Sequence, residues 1–244
     1  MVNRRPPSIR LLGAAGIAGV AFFAATGLLM HAVQPELNPL ERLGSDYVHG
    51  RLGWIFVVGF LVIGAGLGAF AVAVHRLGTN GGRRLLASSA LGVSGAAFVV
   101  TGLFETDPLG PDGLPMRTMT GHVHNAGSFV AFAGVIIAAA ALSRQLPRVP
   151  GWERRGRVTR VFTWVMAVAL IGTAIAGPGA FLAGLVQRVF VAILLTWLVL
   201  LGVWLWRGPA SSVADATNDT DVMSGADMTN EAGLADLPGE DEQR

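Results

Sequence analysis

Apolar residues in this chain run in long blocks. Stretches free of Asp, Glu, Arg and His occupy Leu11–Met30, Trp54–Val74, Leu85–Phe104, Ala126–Leu142, Val161–Val186 and Val189–Trp206. They are 17 to 26 residues long, and roughly 20 helical residues cross a hydrocarbon core of about 30 Å. The pattern therefore predicts an all-α integral membrane protein, a bundle of six transmembrane helices. Proline and polar residues mark the connections at Gln34–Gly53, His75–Arg84, Glu105–Asn125, Ser143–Arg160 and around Gly177-Pro178-Gly179. The first block follows Arg4, Arg5 and Arg10 as a signal peptide would, but it exceeds the usual apolar region of about 7–15 residues and reads as a retained helix.

Composition agrees: of 244 residues 52% are hydrophobic and 14% charged. That balance and the apolar blocks argue against a soluble enzyme, a secreted domain and a nucleic-acid binder. All 18 basic residues are Arg, and the formal charge is only +2. Cysteine is absent, which removes disulfides, thiolate nucleophiles and Cys-ligated metal sites.

Arg-rich short loops stay cytoplasmic during insertion. The N-terminus, the second and fourth connections and the tail hold 14 Arg. The remaining connections hold four, Arg42, Arg51, Arg117 and Arg188. Both termini are thus expected in the cytoplasm of a multi-pass cell-membrane protein. Residues 1–10 form the N-terminal segment and 11–206 the membrane domain. Residues 207–244, with nine acids and no aromatic residue, lack the apolar surface to offset the entropy of ordering and are expected to be a disordered acidic cytoplasmic tail.

The chemistry-bearing residues fall in the connections assigned to the outer side. Asp46 and His49 are three apart and would share a face if the chain is helical there. Glu105 and Asp107 would point the same way in an extended segment, as Pro108 favours for Asp107. His122 and His124, two apart, diverge on a helix and converge only if the fourth helix begins after them. With His49 and either Asp46 or Asp107, they would then make a His-and-carboxylate set suited to a divalent ion such as zinc. Arg188 sits between apolar neighbours at a helix end, beside Gln187. It either snorkels to head groups or is neutralised by a carboxylate, Asp107 first and Asp46 next.

On these residues the chain resembles the domain-of-unknown-function-998 family of six-helix bacterial and archaeal membrane proteins. The carrying motifs are Asn38-Pro39-Leu40 with Ser45-Asp46-Tyr47 and Gly53-Trp54, then Phe104-Glu105-Thr106-Asp107-Pro108. Gly121-His122-Val123-His124, opening helix four, and Gly184-Leu185-Val186-Gln187-Arg188, opening helix six, complete the set. The resemblance spans roughly residues 10–206, and implies a multi-pass membrane location and an outer polar cluster but no settled activity.

Two functional readings follow. In the first, Asp46, His49, Glu105, Asp107, His122, His124 and Arg188 form an outward-facing cluster that binds or transports a small polar solute or lipid head group. In the second, His49, His122 and His124 hold a metal in a membrane hydrolase. A structural six-helix scaffold without ligand is a third. No His-Glu-x-x-His, Gly-x-Ser-x-Gly or phosphate-loop motif is present, which favours binding over hydrolysis.

Overall fold

A computed structural model describes residues 7–77, 81–108, 110, 115–149, 151–177 and 180–208. Six α-helices account for most of them: α1 Pro7–Val33, α2 Gly53–His75, α3 Gly82–Leu103, α4 Met119–Gln145, α5 Glu153–Ala176 and α6 Ala183–Arg207. Short 3₁₀ helices lie at Gly44–His49 and Leu146–Arg148. All six long helices are apolar enough to cross a membrane. The shortest has 22 residues, about 33 Å at 1.5 Å per residue. In a bilayer, backbone polar groups must be paired within the segment, which is why these apolar blocks become helices.

Each helix packs against its neighbours in the chain, and α6 returns to α1, closing a ring. Small residues set the spacing where helices meet most closely. A Cβ on Gly64 of α2 would lie 2.7 Å from the Gly95 carbonyl oxygen of α3. One on Gly13, near the start of α1, would lie 3.1 Å from the Gly202 carbonyl, near the end of α6. That contact makes α1 and α6 antiparallel and brings both ends of the membrane domain to one side, called the terminal end below. The opposite side is the far end.

The middle of the ring is filled by aromatic side chains. Phe23, Phe56, Phe60, Phe98, Phe132 and Phe190 form a connected cluster with ring centroids 4.9 to 6.4 Å apart. Helix α5 contributes least to this core, with only Gly156, Thr159 and Met166 buried.

Two element boundaries differ from the sequence expectation. Helix α4 begins at Met119, seven residues before Ala126, because the Thr118 side chain caps it by accepting from Gly121 N at 3.0 Å. Helix α5 starts at Glu153, inside the Arg-rich segment expected to be a connection, and it stops at Gly177, where φ is +62° and where the sequence places the fifth connection. Thr79, Asp112, Pro178, Gly179, residues 1–6 and the expected tail after Gly208 lie outside the described residues.

Candidate functional site

The far end is organised by the connection between α1 and α2, which folds over the start of α6. The first turn of a helix leaves N–H groups without partners, and here Leu185 N donates to Leu40 O at 3.0 Å. In return, Gly44 N donates to the Gln187 side-chain oxygen at 2.7 Å. Gly184 permits this closeness, since a Cβ there would collide with the carbonyls of Pro39 and Arg42. From below, the buried Gln34 amide donates to Tyr47 O and Arg51 O, each at 2.9 Å. Tyr47 closes the loop by donating its hydroxyl to Leu37 O at 3.1 Å.

Arg188, on α6, pins this strap to the bundle. Its Nε donates to His31 Nε2 at 2.9 Å, and its Nη1 donates to Arg42 O at 2.6 Å and Gly184 O at 3.0 Å. The guanidinium carbon lies 5.6 Å from the Tyr47 ring centroid, within cation–π range. Arginine has no acceptor, so His31 Nε2 accepts and its Nδ1 carries the hydrogen, which goes to Gly27 O at 2.6 Å. The expected carboxylate partner is not there. Among the described residues Arg188 is held by an imidazole and two backbone carbonyls, because the strap brings carbonyl groups to the guanidinium while the acids turn elsewhere.

Asp46 is half-buried and accepts from Leu43 N at 3.0 Å, capping its own 3₁₀ helix. Burial pushes its carboxyl above the usual range, partly offset by the Leu43 N–H and the charges of Arg42, His49 and Arg188. His49, on the same 3₁₀ helix, donates to Thr106 O at 2.9 Å. Asp107 is buried while Glu105 is exposed, so the two carboxylates do not face together. Burial alone would raise the Asp107 carboxyl. Hydrogen bonds from Thr118 N and Oγ1, each 2.7 Å from Oδ1, with His122 and His124 nearby, outweigh it and hold it low.

Since α4 begins before them, His122 and His124 diverge. His122 is exposed, whereas His124 is buried and donates from Nδ1 to Thr101 O and Phe104 O, both at 2.9 Å. Among the described residues no three His, Asp or Glu side chains gather to hold a metal. The expected set His49, His122 and His124 is dispersed: one ring on Thr106, one exposed, one in the bundle.

Beneath the strap lies a cavity of about 410 Å³ between α1, α2, α4 and α6. Phe23, Phe56, Phe60 and Phe132 form much of its wall, and polar groups reach it from His31, Ser45, His124, Ser128, Gln187 and Arg188. None of its lining residues is Asp or Glu. Of the seven residues singled out in the sequence, Arg188 and His124 line this space; Asp46, His49 and Asp107 secure the surrounding loops, and Glu105 and His122 are exposed. His31, Gln34, Ser128 and Thr118 join the site without being among the residues that the sequence singles out.

A family model described as Protein of unknown function (DUF998) matches residues 17–204, nearly the whole ring and its strap. The chain belongs to the DUF998 family. No curated protein and no solved structure matches this DUF998 chain.

Proposed function

We propose that this DUF998 protein is a multi-pass protein of the cell membrane, with both termini cytoplasmic, whose far-end cavity binds or transports an anionic polar group, either a small solute or a lipid head group. One observation carries the reading: the cavity is apolar through most of its wall, yet presents a guanidinium at one end and no acid anywhere in its lining. Ligand pockets combine apolar walls with a few convergent polar groups in this way. The Gln187 oxygen is occupied by Gly44 N, leaving its amide N–H groups as donors beside Arg188. Asp46 stands outside the lining and turns its carboxyl to Leu43 N. The Arg distribution along the chain supports placing this end outside.

The test is thermal stabilisation of the detergent-solubilised protein by glycerol 3-phosphate, a minimal anionic head group. The wild type is expected to be stabilised and Arg188→Gln much less so. Because Arg188 also holds the strap, Ser128→Phe serves as a second variant, filling the cavity without touching the strap, and is expected to lose the response as well. A response unchanged in both variants would overturn the reading.

A further inference from the structure

The cavity lies where α1 and α6 part. At the terminal end these helices touch closely, Gly13 against Leu205 and Gly202. Towards the far end they diverge, and the cavity lining takes Ala24, Gly27 and Leu28 from one and Val191, Ala192 and Leu195 from the other. Leu28 is 74% exposed, and Ala192 is also exposed. These residues thus belong both to the cavity wall and to the outer surface of the ring, which in a membrane faces acyl chains. Above the gap, Arg188 of α6 bridges to His31 of α1 at 2.9 Å. The strap then covers the top, with Gly44 and Ser45 in the cavity wall. The opening is therefore a window in the side of the bundle, with a cationic lintel and an apolar sill.

Resting on the head-group reading above, we infer that this window admits its ligand laterally from the bilayer, and that the occupant is an anionic amphiphile of the membrane. Its head group is held at Arg188, Gln187 and Ser45, and its chain lies against the aromatic wall and leaves between α1 and α6. Three features favour this occupant over a water-borne solute. The side of the cavity that reaches the surface is apolar and lipid-facing. The strap, bonded to α6 at Leu185, Gln187 and Arg188, covers the side that faces water. The charge stands at the helix end, the depth at which a bilayer amphiphile carries its own head group, so the ligand need not cross hydrocarbon to reach it.

The test uses the full chain in vesicles of phosphatidylglycerol and phosphatidylcholine, doped with phosphatidylglycerol bearing a photoreactive group on its acyl chain, with adducts mapped by mass spectrometry. Wild-type protein is expected to be labelled at residues 24–28 and 191–195 about tenfold above the lipid-facing α5 positions Val168 and Ile171, a ratio equivalent to about 1.4 kcal/mol. Filling the window with Leu28→Trp and Ala192→Trp, both at exposed positions compatible with folding, should reduce this labelling to the α5 level. Arg188→Gln should reduce it for phosphatidylglycerol but not raise it for a phosphatidylcholine probe. Labelling no higher at the window than on α5 overturns the lateral route. If glycerol 3-phosphate still stabilises the protein in that case, the head-group reading stands alone; if it does not, both fall. Equal labelling by the two probes overturns the choice of an anionic amphiphile.

Discussion

Arg188 and His31 are joined by one hydrogen bond across 157 positions of sequence, the guanidinium Nε donating to the imidazole Nε2 at 2.9 Å. This bond ties the end of the first helix to the start of the last and closes the ring at the far end. It also fixes the histidine tautomer, because the imidazole hydrogen must then sit on Nδ1, where Gly27 O receives it. Replacing His31 with Leu removes the acceptor and leaves a partly buried N–H without a partner, at a cost of about 1–3 kcal/mol. His31→Gln keeps an acceptor within reach and should restore much of the loss. Thermal unfolding in detergent ranks the three proteins, and equal midpoints for His31→Leu and wild type would refute the role.

Gly184 predicts a second effect. A methyl group there would meet the carbonyls of Pro39 and Arg42, so Gly184→Ala should lift the strap from α6 at a cost of about 1–3 kcal/mol. Hydrogen exchange at Leu185 and Gly44, whose amides hold the strap, should accelerate while α3 remains protected. Unchanged exchange would show that the strap is held by other contacts.

The two buried or half-buried acids should respond to pH in opposite senses. Asp107 is held below its ordinary value, so its contribution is present above about pH 4, the unfolded carboxyl range, and disappears as pH falls through the folded value. Asp107→Asn, which loses charge-assisted acceptance from Thr118, should be less stable at neutral pH by about 1.5–3 kcal/mol and should flatten the acid limb of the stability curve. Asp46 is raised, so the proton it binds in the folded state favours folding at low pH, and that contribution is lost as pH rises through the folded value. Asp46→Asn keeps an oxygen for Leu43 N and should be neutral or stabilising at pH 7. A matching loss in both variants would contradict the assignment.

Membrane orientation can be read with single thiols, since the chain contains no cysteine of its own. Glu105→Cys and Arg148→Cys place one exposed thiol at each end of the bundle. An impermeant maleimide applied to intact cells should label position 105 and spare position 148. The reverse pattern would invert the topology and put the strap inside.

The six spans were legible because bilayer thickness imposes a length on apolar blocks, a constraint written directly in Leu11–Met30 or Val189–Trp206. The start of α4 was legible only through the motif Gly121-His122-Val123-His124, which opens that helix, and not through the apolar block. By polarity alone His122, His124 and Asn125 fall in the connection, while the cap at Thr118 starts the helix before them and the carbonyls of Thr101 and Phe104 accept from His124. Arg188 stood out as a charge in apolar sequence, but its partners did not: backbone carbonyls leave no trace in the order of side chains. His31 is inconspicuous because it ends an apolar block and resembles a border residue. A signal was present, since His31 lies one turn after Gly27 and about one turn before Gln34, the spacing of one helical face.

Helix α5 buries three residues, and Trp164, Val168, Ile171 and Ile175 are each more than half exposed. A wall built this lightly makes few demands on the identity of its side chains, so long as they remain apolar. Its outward surface can therefore change freely over generations without disturbing the aromatic interior, and a copy of this protein in a thicker or thinner bilayer could adjust its hydrophobic height there first, leaving the strap and the window alone.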